Sequence, residues 1–354
     1  MSTRSRRGAV GVATAVAAAL TLAACGGGDS GGGGEAEGEC GETTLRLSHQ
    51  WPAAGGEESD FRSQIAQDFA DQVNEATDGQ VTVEIFPGSS LIGATEQYDA
   101  MMQGAVDLSV FPLDYASGRV PEFSITLMPA LVPDHATAKA WQDAEIGARV
   151  EEIMEENGVK PLTWVWNAGA IGAKGNPVQA PDDVRGGMTM RAAGAYVERM
   201  LEDAGAGITS LPSSEIYTAM QTGVLDAAVT STGSFSSYNL QEQVSSFTSP
   251  VENTFWFMFE PLIISTESFE GLCAEHQEAL TTAGQDLQEF AYTASAEDDE
   301  RVEKVFSDAG VEVVQMDDAA FEAWRELAQD QWTAFAESVE GGQELLDLAQ
   351  QAGE

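Results

Sequence analysis

Between Pro181 and Val229 the chain reads PDDVRGGMTMRAAGAYVERMLEDAGAGITSLPSSEIYTAMQTGVLDAAV, and this stretch constrains the architecture more than any other. MTMRA alternates with the period of a strand. AYVERMLEDAGA places Tyr196, Met200 and Ala204 on one helical face, and Gly205 is a stop signal. Pro212 and Ser213 open a second helix over Glu215 to Thr222, and VLDAAV after Gly223 reads as a buried strand. Strands alternating with helices in this way place the chain in the α/β class.

The rest of the chain continues the pattern. A strand at Thr43 to Ser48 precedes a helix over Ser59 to Thr77, with Phe61, Ile65, Phe69 and Val73 on one stripe and Asp78-Gly79 as its stop. Strands at Val81 to Phe86 and Val106 to Phe111 flank a short helix at Thr95 to Gln103. A helix from Ala136 to Asn157 and a strand from Leu162 to Trp166 follow. A mostly parallel sheet covered on both faces is the expectation. TFWFMFEPLIIS at Thr254 to Ser265 is broken by Glu260 and Pro261, too short for a membrane span, and reads as a core strand pair. Helical periodicity then runs from His276 to Asp308, followed by a strand at Val311 to Met316 and helices over Asp318 to Val339 and Gln343 to Ala349.

The N-terminus has a different character. Arg4, Arg6 and Arg7 precede an apolar run from Ala9 to Ala24 that ends in LAAC, the layout of a secretory signal peptide over residues 1–24. The Leu-Ala-Ala-Cys ending resembles a bacterial lipobox, in which Cys25 is acylated and becomes the mature N-terminus. Residues 25–42 are mostly Gly, Ser and acidic, a composition that buries too little apolar surface to order itself and serves as a tether. About 315 residues follow Glu39, enough for two lobes with separate cores.

Charge narrows the partners. The chain has 58 acidic and 16 basic residues and a net charge of −42, which disfavours nucleic acid and anionic lipid head groups. Beyond Cys25 only Cys40 and Cys273 remain, and an exported location permits a disulfide between them, though their spacing alone leaves two unpaired thiols open.

PDDVRGG, a strand ending in Arg191, PSSEIYTAMQTG and VLDA occur in the order found in solute-binding proteins of tripartite ATP-independent periplasmic (TRAP) transporters, of the dicarboxylate-binding DctP type. LRLSHQWP at Leu45 to Pro52, VTVEIFPGSSLIGATEQYDAMMQGAVDLSV at Val81 to Val110 and YASGRVPEFSITLMPALV at Tyr115 to Val132 extend the similarity over most of the chain. The resemblance implies a two-lobed, venus-flytrap fold with a ligand cleft between the lobes. The first lobe would be 43–166 with part of 254–295, and the second 167–253 with part of 296–354. It also implies delivery of a small organic anion to a pair of TRAP membrane subunits driven by an ion gradient, with no cofactor.

Arg191 is the residue expected to clamp a carboxylate, because a planar guanidinium offers two parallel N–H donors. A surface arginine paired with one of many acids is the competing reading; the strand-end position and the motif favour the clamp. Trp51, Phe111, Trp166 and Tyr217 are candidate pocket walls, although each aromatic alone is equally a core residue. Asn167, Thr230 and Ser231 can supply neutral hydrogen bonds. Glu96 matches an acidic position that binds ligand in some relatives, and a helix-start carboxylate on the dipole explains it equally well. Many relatives carry a second arginine where this chain has Ile171, and an aromatic where it has Ser213. One clamp retained and one lost favours a monocarboxylate over a symmetrical dicarboxylate, with Lys174 as a possible substitute charge.

Catalytic and metal signatures are missing. The three histidines, His49, His135 and His276, have no metal-ligand spacing, and neither GxSxG nor a P-loop lysine occurs. A sensor's ligand-binding component, or an extracytoplasmic enzyme on a similar scaffold, stays open as an alternative to a transporter's receptor.

Overall fold

The computed structural model describes residues 40–55 and 59–353. The signal segment, Cys25 and the tether up to residue 39 lie outside them. The strands are β1 (Thr43–Ser48), β2 (Val81–Phe86), β3 (Leu108–Val110), β4 (Val159–Thr163), β5 (Trp166–Ala173), β6 (Thr189–Arg191), β7 (Gly207–Ile208), β8 (Ala227–Ser231), β9 (Ser246–Ser249), β10 (Phe257–Phe259), β11 (Leu262–Ser265) and β12 (Glu312–Gln315). The α-helices are α1 (Phe61–Ala76), α2 (Gln97–Met102), α3 (His135–Asp143), α4 (Glu145–Glu156), α5 (Ala195–Asp203), α6 (Ile216–Gln221), α7 (Thr232–Ser237), α8 (Thr266–Glu270), α9 (Ala274–Asp286), α10 (Gln288–Asp308), α11 (Asp318–Ser338) and α12 (Gly342–Ala352). None of the described helices is long and apolar enough to cross a membrane.

Two sheets organise these elements. The first has the order β2-β1-β3-β11-β4 and the second β12-β9-β5-β8-β6-β7, with β10 beside the start of β5. Five pairings are parallel, as βαβ crossovers require, and five are antiparallel, so the sheets are mixed rather than mostly parallel. The antiparallel partners come from strands that cross between lobes and enter the new sheet against its direction. TFWFMFEPLIIS shows how: β10 pairs with β5 in the second lobe, while β11 inserts between β3 and β4 in the first. Glu260 and Pro261, read as a break, are the crossover itself. Beside them runs the second crossover, Trp164-Val165, tied by the Glu260 N–H donating to the Val165 carbonyl at 2.7 Å.

Two long helical patterns are each divided. The run from 136 to 157 breaks at Ala144, where the chain folds tightly enough that a Cβ on Gly147 would lie 2.2 Å from the Trp141 carbonyl oxygen. The run from 276 to 308 breaks at Leu287 into α9, packed on α1 and β4, and α10, which spans both lobes. From α10, Tyr292 donates to Gln142 of the first lobe, Asp299 accepts from Thr232 of the second, and Glu303 accepts from Ser249. The last helix, α12, returns to the first lobe and packs on α3 and α4, burying Leu345, Leu346 and Ala349.

The apolar stripe of α1 buries Ile65, Phe69 and Val73 against the first sheet. On the second lobe, Met190, Val197, Met200 and Val229 form one core with Trp324 of α11, while Phe235, Phe247 and Phe306 form another on the opposite face. Cys40 and Cys273 are joined in a disulfide, Cα–Cα 5.6 Å, which pins the start of the first lobe to the N-terminus of α9.

Candidate functional site

β6 ends at Arg191 because the chain must leave the sheet there: Gly194, with φ of 92°, turns it into α5. This places the Arg191 guanidinium at the C-terminal edge of the second sheet, 1% exposed. Its Nε donates to the Leu211 carbonyl at 2.9 Å, Nη1 to the Val229 carbonyl at 2.9 Å, and Nη2 to the Tyr115 hydroxyl at 3.2 Å. A guanidinium has five N–H donors. Three are used, so one N–H on each terminal nitrogen has no acceptor among the described residues. Tyr115 belongs to the first lobe, and its hydroxyl also accepts from the Ser213 N–H at 3.3 Å.

A second arginine lies in the seam between the lobes. Arg62 is 0% exposed and all five of its donors are engaged. Nε and Nη2 hold the two oxygens of Asp60 at 2.9 and 2.7 Å, Nη1 reaches Glu260 at 2.6 Å and Ser231 Oγ at 3.0 Å, and Nη2 also reaches Ser234 Oγ at 3.4 Å. The guanidinium stacks on Trp51, 3.9 Å from the ring centroid, and the Trp51 indole N–H donates to Ser234 Oγ at 3.3 Å. Burial raises the carboxyl of Asp60, yet the Arg62 charge together with hydrogen bonds from Arg62 and Ser237 outweighs it and holds the group below its usual range. For Glu260 burial wins, and the carboxyl stays above its usual range despite Arg62. Arg62 joins α1 of the first lobe, the crossover at Glu260, and β8 and α7 of the second lobe. With no donor uncommitted, it is a clamp between lobes and not an open anion receptor.

Further contacts close the seam. Ser213 Oγ donates to Gln50 Oε1 at 3.2 Å, the Tyr238 hydroxyl to the Gln50 carbonyl at 2.9 Å, and Ser237 Oγ to Asp60 at 2.5 Å. Several buried polar atoms have no protein partner: Ser48 Oγ, His49 Nδ1 and Asn167 Nδ2 at strand ends, Gln97 Nε2 at the start of α2 and Asp114 Oδ1 in the turn before Tyr115. Burying such a group unpaired costs about 1–3 kcal/mol, so each is a donor or acceptor that a polar partner would satisfy. Burial lowers His49 to about 4, leaving a neutral ring near neutral pH.

The candidate residues divide into those at the seam and those away from it. Arg191, Trp51, Asn167 and Ser231 are buried there, and Asn167 Oδ1 accepts from Thr232 at 3.2 Å. Thr230 is buried within β8. Trp166 belongs to the first core, its ring 5.3 Å from Trp141 and 4.9 Å from Phe259, and Phe111 packs on Tyr98 and Tyr115. Tyr217 points outward, its hydroxyl donating to Glu242 in an exposed pair, because α6 buries Ile216 and Met220 instead. Glu96 is exposed, and its neighbour Gln97 is the buried residue, its Oε1 accepting from Ser109 at 2.7 Å. Lys174 cannot stand in for a second clamp, since its ammonium donates to the Met220 carbonyl at the end of α6. Ile171, at the missing-arginine position, is buried in the apolar cluster with Val197 and Val229.

Sequence reasoning overlooked Arg62, Tyr115, Asp114 and Glu260. Arg62 had a readable signal: it shares the helical face of Ala66, Phe69 and Val73, where a charge needs a buried partner. Asp114 and Glu260 offered no local sign.

Two α/β lobes joined by paired crossovers and closed over an arginine with an open donor edge have the form of a ligand receptor of the venus-flytrap type. Comparison with known proteins carries this to a family. The family model "DctP: Bacterial extracellular solute-binding protein, family 7" matches residues 53–338. A solute-binding protein of Albidiferax ferrireducens is 39% identical over 310 residues, covering 87% of this chain and 91% of the relative. The 2,3-diketo-L-gulonate-binding periplasmic protein YiaO of Escherichia coli is 27% identical, covering 86% and 92%. A crystal structure of a TRAP periplasmic solute-binding protein from Rhodoferax ferrireducens with bound malonate superimposes with a TM-score of 0.84 at 39% identity, covering 87% of this chain and 98% of that one. The chain belongs to the DctP family of bacterial extracellular solute-binding proteins and is a solute-binding protein of the TRAP type.

Proposed function

We propose that this receptor captures a small organic acid on the open edge of Arg191, closes its two lobes over it, and presents it to TRAP membrane subunits. The observation that carries the reading is the donor count: a buried, permanently charged guanidinium held by three protein acceptors, with one N–H on each terminal nitrogen uncommitted. The malonate bound by the Rhodoferax ferrireducens relative supports a compact acid, and as a dicarboxylate it is the ligand against which a monocarboxylate preference has to be tested. A monocarboxylate is favoured over a symmetrical dicarboxylate, because Ile171 replaces a second arginine, Lys174 is turned onto Met220 and the donors of Arg62 are all committed. The neutral atoms His49 Nδ1, Gln97 Nε2 and Asn167 Nδ2 suit the remainder of such a ligand.

Closure must be favoured by the ligand through contacts that the open state lacks. The convergence of Tyr115 of one lobe and Val229 and Leu211 of the other on one guanidinium supports this reading, because a ligand seated there would reach groups of both lobes. Acylation at Cys25 would hold the receptor at the outer face of the membrane by its glycine-rich tether. The test is thermal-shift screening and calorimetry of residues 39–354 with mono- and dicarboxylates, sugars and amino acids. Ligand at about 100 times its dissociation constant adds about 2.7 kcal/mol of stability. Arg191→Lys and Arg191→Ala should abolish the shift by acids while leaving the fold intact. Wild-type affinity in both variants would overturn the role of Arg191, and turnover of the bound acid would favour an enzyme.

A further inference from the structure

Asp114 sits in the turn that carries Tyr115, the residue joining the first lobe to Arg191. It is 5% exposed, and its Oδ1 has no hydrogen-bond partner among the described residues. The charges acting on it are Glu198 of α5 and Arg191 of β6. Glu198 is half-buried and accepts from Ser210 Oγ at 2.6 Å. Of the segments packed on this turn, Phe257–Phe259 carries no ionisable side chain and Pro121–Leu127 carries the half-exposed Glu122. Arg191 acts electrostatically on both carboxyls, and its three hydrogen bonds go to Leu211, Val229 and Tyr115 and to neither of them.

We propose that Asp114 takes up a proton when the ligand binds and donates it as a hydrogen bond to the carboxylate held on Arg191, which makes Asp114 a positioning residue of the binding site. The proposal rests on the reading of Arg191 given above. Its basis is charge bookkeeping in a water-excluded seam. A third carboxylate on Arg191 sets three negative charges against one positive charge, and like charges at close range cannot all stay ionised. The most deeply buried group with an idle oxygen is the one that neutralises at least cost. Once protonated, it supplies an O–H donor, and an O–H on a carboxylate makes a short charge-assisted bond. Burial already raises Asp114 to about 7, with Glu198 adding to the rise and Arg191 opposing it. The proton comes from solvent.

The experiment is calorimetric titration with malonate between pH 7.0 and 8.5, above the range where the acid itself ionises, in buffers of different ionisation enthalpy. Proton uptake at a group of pKa about 7 predicts a dissociation constant that weakens roughly tenfold or more over this interval, with close to one proton taken up at the upper end. Asp114→Asn offers an N–H in place of the O–H, so its affinity should change by less than about twofold over the interval, with no proton uptake. Glu198→Gln removes a charge that raises Asp114, so its affinity should begin to weaken at lower pH than that of the wild type. A pH-independent wild type with no proton uptake, or an Asp114→Asn variant with the wild-type slope, overturns the proposal. If Arg191→Ala binds malonate like the wild type, or if wild type binds neither malonate nor any other acid, the Arg191 reading fails first and takes this one with it.

Discussion

Replacing Arg62 by methionine tests whether the inter-lobe clamp is an electrostatic unit. Methionine keeps most of the stem volume and its contact with Trp51, so lost packing is a small part of the effect. The two carboxylates left behind have side chains only 2% exposed. Removing one partner of a buried ion pair costs about 3–5 kcal/mol. At about 2 °C per kcal/mol for a large domain, Tm should fall by roughly 6–10 °C. The pH dependence separates this cause from a generic defect. In the wild type Asp60 is held below its usual range, so its contribution is present above that range and is lost as pH falls through its lowered value. Without Arg62, burial outweighs the remaining hydrogen bond from Ser237 to Asp60, and both carboxyls rise above their unfolded values. The folded variant then binds more protons than the unfolded chain, and its stability increases as pH falls. Thermal melts of both proteins at about pH 8, 6.5 and 5 should show the deficit largest at the alkaline end and shrinking towards the acid end. A deficit under about 1 kcal/mol, or one constant across the series, would refute the argument.

Two further outcomes follow from the same geometry. The Cys40–Cys273 bridge closes a segment of sequence separation 233, and its replacement by serines should cost about 2–4 kcal/mol, read as a lower Tm that reductant no longer affects. His49 is held neutral by burial, from 6.5 down to about 4, so the unfolded chain binds more protons between those values and acidification through that window destabilises the wild type. His49→Gln should flatten that part of the stability curve; an unchanged acid limb would show that the His49 ring has access to water.

The recognisable parts of the site were those written in local sequence. Arg191 stands at a strand end that MTMRA and the following glycine specify, and Ser213 and Ser231 lie in segments whose helices and strands are periodic. Where an argument used one residue's neighbours along the chain, the side chain's direction stayed open. Tyr217 and Glu96 are the examples, each on a short helical segment that turns its other face inward. Arg62 is the reverse: its position on an apolar stripe was legible, but its partners Asp60, Glu260, Ser231 and Ser234 span residues 60 to 260.

Sequence by itself determined the α/β class, most of the strand and helix segments, the family motifs and the strand end that carries Arg191, because each depends on periodicity or turn chemistry within a few residues. Tertiary structure alone decided that Glu260-Pro261 crosses between sheets, that Arg62 is saturated while Arg191 keeps an open edge, and that Asp114 is buried in the turn that brings Tyr115 to Arg191. Those are statements about which donors and acceptors meet across two lobes in a water-excluded seam, and burial and pairing of that kind have no period along the chain.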